Sequence, residues 1–358
     1  MSDYAAFLEA KTQGGADSGF APVWMPDFLF DFQSDLVAWA VRHGRGALFA
    51  DCGLGKTPMA LAWADEVHRH TGKPVLVLTP LAVGFQIVAE AHRFGHDAAI
   101  SRTGQATAPI TVTNYEQLAK FTAADFGGVV CDESSILKSY DGATRTALTE
   151  FMRRLPYRLL ATATAAPNEW VELGTSSEAL GGLGHVDMLT RFFTNKQRTG
   201  TSSGRAFGDD VGWRLKGHAE GPFWQWVASW ARAVRRPSDL GFADERFHLP
   251  ELVVRQTLIE PRRPADGHLF DVPASGLREE REESRRTLHE RCEAAAAALA
   301  DADRAVAWCH LNAESAELAR MIPGSVEVSG ADEPDAKEAK LAAFSRGDIR
   351  VMVIKPSI

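Results

Sequence analysis

The stretch LFADCGLGKTPMALAWADEV, Leu48 to Val67, decides the reading. It opens on an apolar run, turns through Gly53 and Gly55, meets Lys56 and Thr57, and continues as a pattern of helical period. Glycines let a backbone turn tightly, so that successive N–H groups face one point, and a helix beginning there adds its positive dipole end. Such a strand–turn–helix unit is a cradle for phosphate groups. The loop backbone through Gly53, Leu54 and Gly55 is the candidate binding surface, with Lys56 as the cation for the terminal phosphates and the Thr57 hydroxyl as a magnesium ligand. Ala50 stands where many loops of this kind begin with glycine, while the Gly-x-Gly-Lys-Thr part is intact.

Downstream, FGGVVCDESSILK, Phe126 to Lys138, is a second apolar run that ends in Asp132 and Glu133. A carboxylate at a strand end can hold magnesium, and its neighbour can orient and deprotonate an attacking water. Alone, two acids at a strand end also describe a capping loop. Placed after a phosphate loop, they become the catalytic candidates together with Lys56.

Outward from these two motifs, residues 26–185 alternate strand and helix. Strands are predicted at Gly46–Ala50, Val75–Thr79, Ile110–Thr113, Gly128–Cys131 and Arg158–Ala161, with helices such as Pro58–His70 and Val83–Phe94 between them. Short apolar strands separated by helices predict an α/β fold with a parallel sheet covered on both faces. Residues 1–25 form an N-terminal extension, and 186–303 an insertion or linker with helices. Within the insertion, FFTNKQRTGTSSGRAFGDD reads as a polar loop and FWQWVASWARAVRR, Phe223–Arg236, as an aromatic helix. Residues 277–303 read as one helix with a charged, solvated start. From 304 to 358 the strand–helix alternation resumes and the sequence stops on a strand.

A chain of 358 residues with 45% hydrophobic and 24% charged content can bury a sizeable core and suits two domains plus an insertion. The net charge of -8 argues against a uniformly basic coat, though it leaves room for a local basic groove. The four cysteines show no CxxC spacing, which gives a zinc ribbon or redox pair no support. The N-terminus lacks the pattern of a signal peptide, and no apolar run approaches the roughly 18 residues of a membrane span. The expected location is the cytoplasm of a bacterial or phage-infected cell.

These residues resemble the superfamily-two helicases, and within them the Swi/Snf-like ATPases, especially short phage-type members. FQSDLVAWAV, Phe32–Val41, looks like the adenine-recognition segment, with Gln33 at the adenine edge. GLGKT and DESS match the first and second motifs. VLTPLAV, with Thr79 and Pro80, and VTNYEQL, with Asn114, resemble segments that touch the nucleic-acid backbone. LLATATAAPNEW resembles the third motif, with Thr162, Ala163 and Thr164 in place of Ser-Ala-Thr, a segment that couples hydrolysis to movement. Residues 305–320 and 328–358 look like the opening of a second RecA-like domain.

The resemblance implies a complete RecA-like domain, a helical and loop insertion, and a partial second RecA-like domain. It implies ATP and Mg2+ as cofactors and DNA as partner, duplex and read without sequence preference. Lys196, Arg198 and Lys216 in the insertion, beside Trp213, are candidate backbone contacts; a solvated loop is the other reading. The family's fifth motif and its sixth, with an arginine finger, find no match up to Ile358, so weak turnover is the expectation for the chain as written. Two alternatives stay open: a scaffold that binds ATP or DNA without hydrolysis, and a phosphate-loop ATPase that remodels protein.

Overall fold

The structure is a computed structural model, and it describes residues 17–138, 142–166, 169–195, 212–248, 250–260 and 276–356. The chain divides into two compact units, Met1–Leu249 and Pro250–Ile358.

The first unit is built on a seven-stranded sheet in the order β3-β4-β2-β5-β6-β1-β9, with every neighbouring pair parallel. The strands are β1 (Arg45–Ala50), β2 (Val75–Thr79), β3 (Ala98–Ile100), β4 (Ile110–Asn114), β5 (Gly128–Asp132), β6 (Tyr157–Ala161) and, after the short hairpin of β7 (Phe193–Asn195) and β8 (Trp213–Leu215), β9 (Ala231–Val234). Central strands bury both faces, which is why they read as unbroken apolar runs: Val75 to Leu78 and Val129 to Cys131 are at most 2% exposed.

One face of the sheet is covered by α1 (Asp31–His43), α2 (Lys56–Thr71) and α3 (Gly84–Arg93). Their apolar stripes, among them Phe32, Leu36, Met59, Trp63 and Ile87, meet Leu48, Val77, Val112, Val130 and Leu159. The opposite face carries α4 (Gly142–Arg153), α5 (Leu173–Leu180), α6 (His185–Phe192) and α7 (Glu220–Ala228). There Leu148, Met152, Leu180, Met188 and Phe223 pack with Phe49, Leu76, Leu78, Cys131 and Leu160. Burying each such side chain contributes about 1.5–3 kcal/mol, and this two-sided core is what fixes the strand ends where the motifs lie.

Buried polar groups tie the layers together. Glu66 is fully buried on α2, and its two oxygens accept hydrogen bonds from the N–H groups of Val23 and Trp24 at 2.7 and 2.8 Å. Arg158, in β6, donates to the carbonyls of Leu155, Leu180 and Arg153. Burial, with Arg45 and Arg153 nearby, lowers its pKa to about 10.

Besides the short strands β3 and β7, which were not expected, two longer segments differ from the expected elements. The aromatic segment is a helix only to Ala228; Ala231–Val234 is a strand, paired with β1 from Ala47↔Ala231 to Ala50↔Val234. The open backbone edge of β1 supplies hydrogen bonds that outweigh a helical continuation. Residues 277–298 form two helices, α8 (Leu277–Arg286) and α9 (Leu288–Ala298). The Thr287 hydroxyl between them donates to the Glu283 carbonyl, a back-bond that bends helices.

The second unit holds a three-stranded parallel sheet, β10 (Ala305–Trp308), β12 (Val351–Ile354) and β11 (Val326–Val328) in that order, with α10 (Asn312–Met321) and α11 (Pro334–Arg346). Among the described residues no helix is long and apolar enough to cross a membrane.

Candidate active site

The phosphate loop follows β1, and its conformation depends on glycine. Gly53 and Gly55 have φ of 81° and 77°, in the left-handed region that glycine enters without steric cost. At Gly55 there is a second reason: a Cβ would lie 2.3 Å from Nε2 of Gln33. Gln33 is 3% exposed on α1. Its Nε2 donates to the Leu54 carbonyl at 2.8 Å, and its Oε1 accepts from the Phe30 N–H at 3.0 Å. The residue expected at an adenine edge is therefore also a brace between the N-terminal segment and the loop.

Lys56 and Thr57 are the first two residues of α2. The Lys56 ammonium donates to the carbonyls of Ala50 and Asp51 at 3.1 and 3.3 Å, so it lies folded over the loop. Thr57 is half-buried on the same first turn.

Strand order brings the acidic pair to this loop. β6 lies between β1 and β5, and all three run parallel, so the loop after β1, the Thr162–Thr164 segment after β6 and Asp132–Glu133 at the end of β5 are adjacent. In open parallel sheets, ligands bind at these carboxyl ends of the strands. The Thr162 hydroxyl donates to Glu133 Oε2 at 3.1 Å and accepts from the Thr164 N–H at 3.0 Å. Glu133 has φ of 50°, the one non-glycine residue with positive φ among the described residues. Ala163 follows in the same turn and lines a hollow of about 520 Å3 with Asp51, Trp170 and Arg235.

Asp132 is 7% exposed, and its pKa is raised to about 6. Burial is the main cause, the Glu133 charge adds to it, and Lys56 opposes it. A buried carboxyl whose pKa is raised beside a second acid is a group whose ionised form a cation would favour.

Two further strand ends reach the same place. Thr79, at the end of β2, has its hydroxyl 3.5 Å from Asp132 Oδ2 and is followed by Pro80. Asn114, at the end of β4, donates to Glu116. Next to it, Tyr115 is 3% exposed and donates to the Asp132 carbonyl at 2.6 Å. The motif reading missed Tyr115; the signal was an aromatic set in an otherwise polar turn.

The hairpin residues do not join this group. Lys216 donates to the carbonyls of Thr190 and Arg191, capping α6. Arg214 is exposed, and Lys216, Trp213, Trp170 and His218 line a cavity of about 980 Å3. Lys196 and Arg198 lie outside the described residues. Trp226 and Trp230 are core, whereas Trp224 is 41% exposed.

No protein-family profile matches the sequence, and no curated protein sequence is similar to it. Solved structures are similar in fold. The DUF1998 helicase MrfA bound to DNA matches with a TM-score of 0.51 and 11% identity, covering 91% of this chain and 42% of its own. The Sulfolobus solfataricus SWI2/SNF2 ATPase core in complex with dsDNA matches with a TM-score of 0.48 and 14% identity over 94% of this chain and 80% of its own. The UvsW helicase from bacteriophage T4 matches 51% of this chain at a TM-score of 0.35. The chain has a RecA-like α/β fold, which it shares with the MrfA helicase. At this identity the similarity is one of fold alone.

Proposed function

We propose that the chain is an ATP hydrolase of helicase type that uses ATP with Mg2+ to translocate on duplex DNA without sequence preference. One observation carries the reading: Lys56, Thr162 and the pair Asp132–Glu133 stand at the ends of three adjacent parallel strands, with Thr162 bonded to Glu133 and Lys56 felt by Asp132.

The residues fit MgATP. The loop offers backbone N–H groups and a lysine for phosphates, and Thr57 and Asp132 offer the hard oxygen donors that Mg2+ takes. The ion supplies neutralisation of the developing phosphate charge. The protein's own part is positional. Lys56 exchanges two backbone carbonyls for the terminal phosphates. Glu133 accepts the proton of the attacking water, with Oε2 aimed by the Thr162 hydroxyl. Gln33, whose amide is bonded to Phe30 and Leu54, would turn it to the purine edge when nucleotide binds. Pro80 and Asn114 contact the DNA backbone, with Lys196, Arg198 and Lys216 as further cations, whereas Thr79, expected to join them, is 1% exposed and turned to Asp132; MrfA, similar in fold, was solved bound to DNA.

The deciding experiment is steady-state ATP hydrolysis with and without duplex DNA, on the parent and on Lys56→Ala. The expected result is turnover that duplex stimulates and Lys56→Ala abolishes. Hydrolysis indifferent to DNA would favour a protein-remodelling ATPase. Nucleotide binding with no turnover in any condition would favour a scaffold.

A further inference from the structure

Three hydroxyls from three strand ends hold the acidic pair: Thr162 on the Glu133 side chain, Thr79 on the Asp132 carboxylate, and Tyr115 on the Asp132 backbone carbonyl. Thr162 belongs to the segment already assigned to coupling. Tyr115 has no assigned role, and its bond is the shortest of the three at 2.6 Å.

Its place explains why a hydroxyl is needed there. β2 pairs with β5 in register from Val75↔Gly128 to Leu78↔Cys131, and Asp132 lies one residue beyond that ladder. On its other side Asp132 is matched with Ala161 of β6. The carbonyl of a buried strand end beyond its ladder requires a donor, and the Tyr115 hydroxyl, reaching over from the end of β4, is that donor. A simple structural bond would serve equally from any residue. Here the donor's chain neighbours are Asn114 and Glu116, whose side chains reach the surface and bond each other. The turn that carries Tyr115 thus has a solvent-facing polar side and a buried phenol locked onto the magnesium-side acid. Thr79 repeats the arrangement from β2, next to Pro80.

We propose that Tyr115 is a positioning residue that links nucleic acid bound at the ends of β2 and β4 to the acidic pair, so that DNA contact at Asn114 sets the position of Asp132 through the Tyr115 hydroxyl. The inference rests on the reading of the site as a DNA-dependent ATPase and names its regulation. Tyr115 touches no reacting atom; it acts through Asp132.

Coupling between two ligands is reciprocal, so it is measured without turnover. The affinity of the full chain for a labelled duplex is determined with and without Mg2+ and a non-hydrolysable fluorescent ATP analogue. The ratio is the coupling, and the analogue's own affinity with and without duplex must give the same ratio. The parent is expected to show coupling of about 5-fold or more, the lower end of common values. Tyr115→Phe keeps the ring and removes one oxygen. It is expected to bring the ratio below about 2-fold, while the affinities for analogue alone and duplex alone stay within about 3-fold of the parent. Modest destabilisation leaves the chain almost wholly folded, which circular dichroism verifies, so the ratio still reports the coupling between the sites. A Tyr115→Phe ratio equal to the parent's would overturn the role of Tyr115 and leave the site reading standing. A parent that binds both ligands with a ratio of one would overturn the link itself. A parent that binds neither would remove the functional reading and this inference with it.

Discussion

The Thr162 hydroxyl stands 3.1 Å from Glu133 Oε2 and joins the end of β6 to the end of β5. A hydrogen bond to an ionised group is worth about 1.5–3 kcal/mol. Part of that acts on orientation, so Thr162→Val, which keeps the shape and removes the donor, is expected to lower kcat about tenfold with KM nearly unchanged. Steady-state kinetics with saturating DNA provide the check. Equal loss in KM and kcat would mean that Thr162 serves nucleotide binding instead.

Glu133→Gln should retain nucleotide binding and lose turnover by about 10²–10⁴-fold, the usual contribution of a general base. The amide still accepts a hydrogen bond from Thr162, so the local structure is preserved. Fluorescence titration with an ATP analogue, beside single-turnover hydrolysis, separates the two effects. If binding fell along with turnover, Glu133 would be holding the metal.

Asp132 gives a pH dependence of stability. Its pKa of about 6 in the folded chain lies above the ordinary 3.8. Between about pH 4 and pH 6 the folded chain keeps a proton that the unfolded chain has released. The favourable contribution is therefore full below pH 4 and is lost as pH rises through 6, at most about 3 kcal/mol. Asp132→Asn escapes that loss. In metal-free buffer the variant should be more stable than the parent by a margin that is larger at pH 8 than at pH 5, while activity is lost. Denaturant titrations at the two pH values test this, and a margin independent of pH would contradict it.

Glu66→Ala removes the acceptor of two backbone N–H groups at Val23 and Trp24. Leaving them unpaired should cost about 2–4 kcal/mol and free the segment before α1. Denaturant unfolding gives the energy. Hydrogen exchange gives the location: the amides of Val23 and Trp24 should lose protection before those of β1.

DNA binding is expected to weaken steeply with salt and to differ little between unrelated duplexes. Lys216→Glu is a narrower probe. Its ammonium caps α6 through the carbonyls of Thr190 and Arg191, so a loss of DNA affinity counts as a contact only where the melting temperature holds. A flat salt response would exclude backbone binding as the main term.

Much of the first sheet was legible because its strands are buried on both faces. The predicted runs at Gly46–Ala50, Val75–Thr79 and Arg158–Ala161 fall within one residue of β1, β2 and β6. β3 went unread because three residues, one buried and two half-buried, are too few to carry a periodicity. β9 was hidden for a different reason: ARAV follows a Trp-rich helix without a breaker, and its strand state depends on the free edge of β1, far away in sequence. At the site, glycine, lysine and paired acids announce themselves by type and spacing. Gln33's brace on Leu54 and Tyr115's bond to Asp132 depend on which strand ends become neighbours, and sequence distance does not contain that information.

The pairing of β1 with β9 also has a consequence for biosynthesis. Ala47 to Ala50 leave the ribosome about 180 residues ahead of Ala231 to Val234. At roughly 5–20 residues per second this is a wait of about 10–40 s. Throughout it the nascent chain carries the apolar strand RGALFA with an uncovered hydrogen-bonding edge, a template for pairing with other chains. A holdase chaperone that covers this edge, or fast codons between the two strands that shorten the exposure, would therefore raise the soluble yield without changing the stability of the finished sheet.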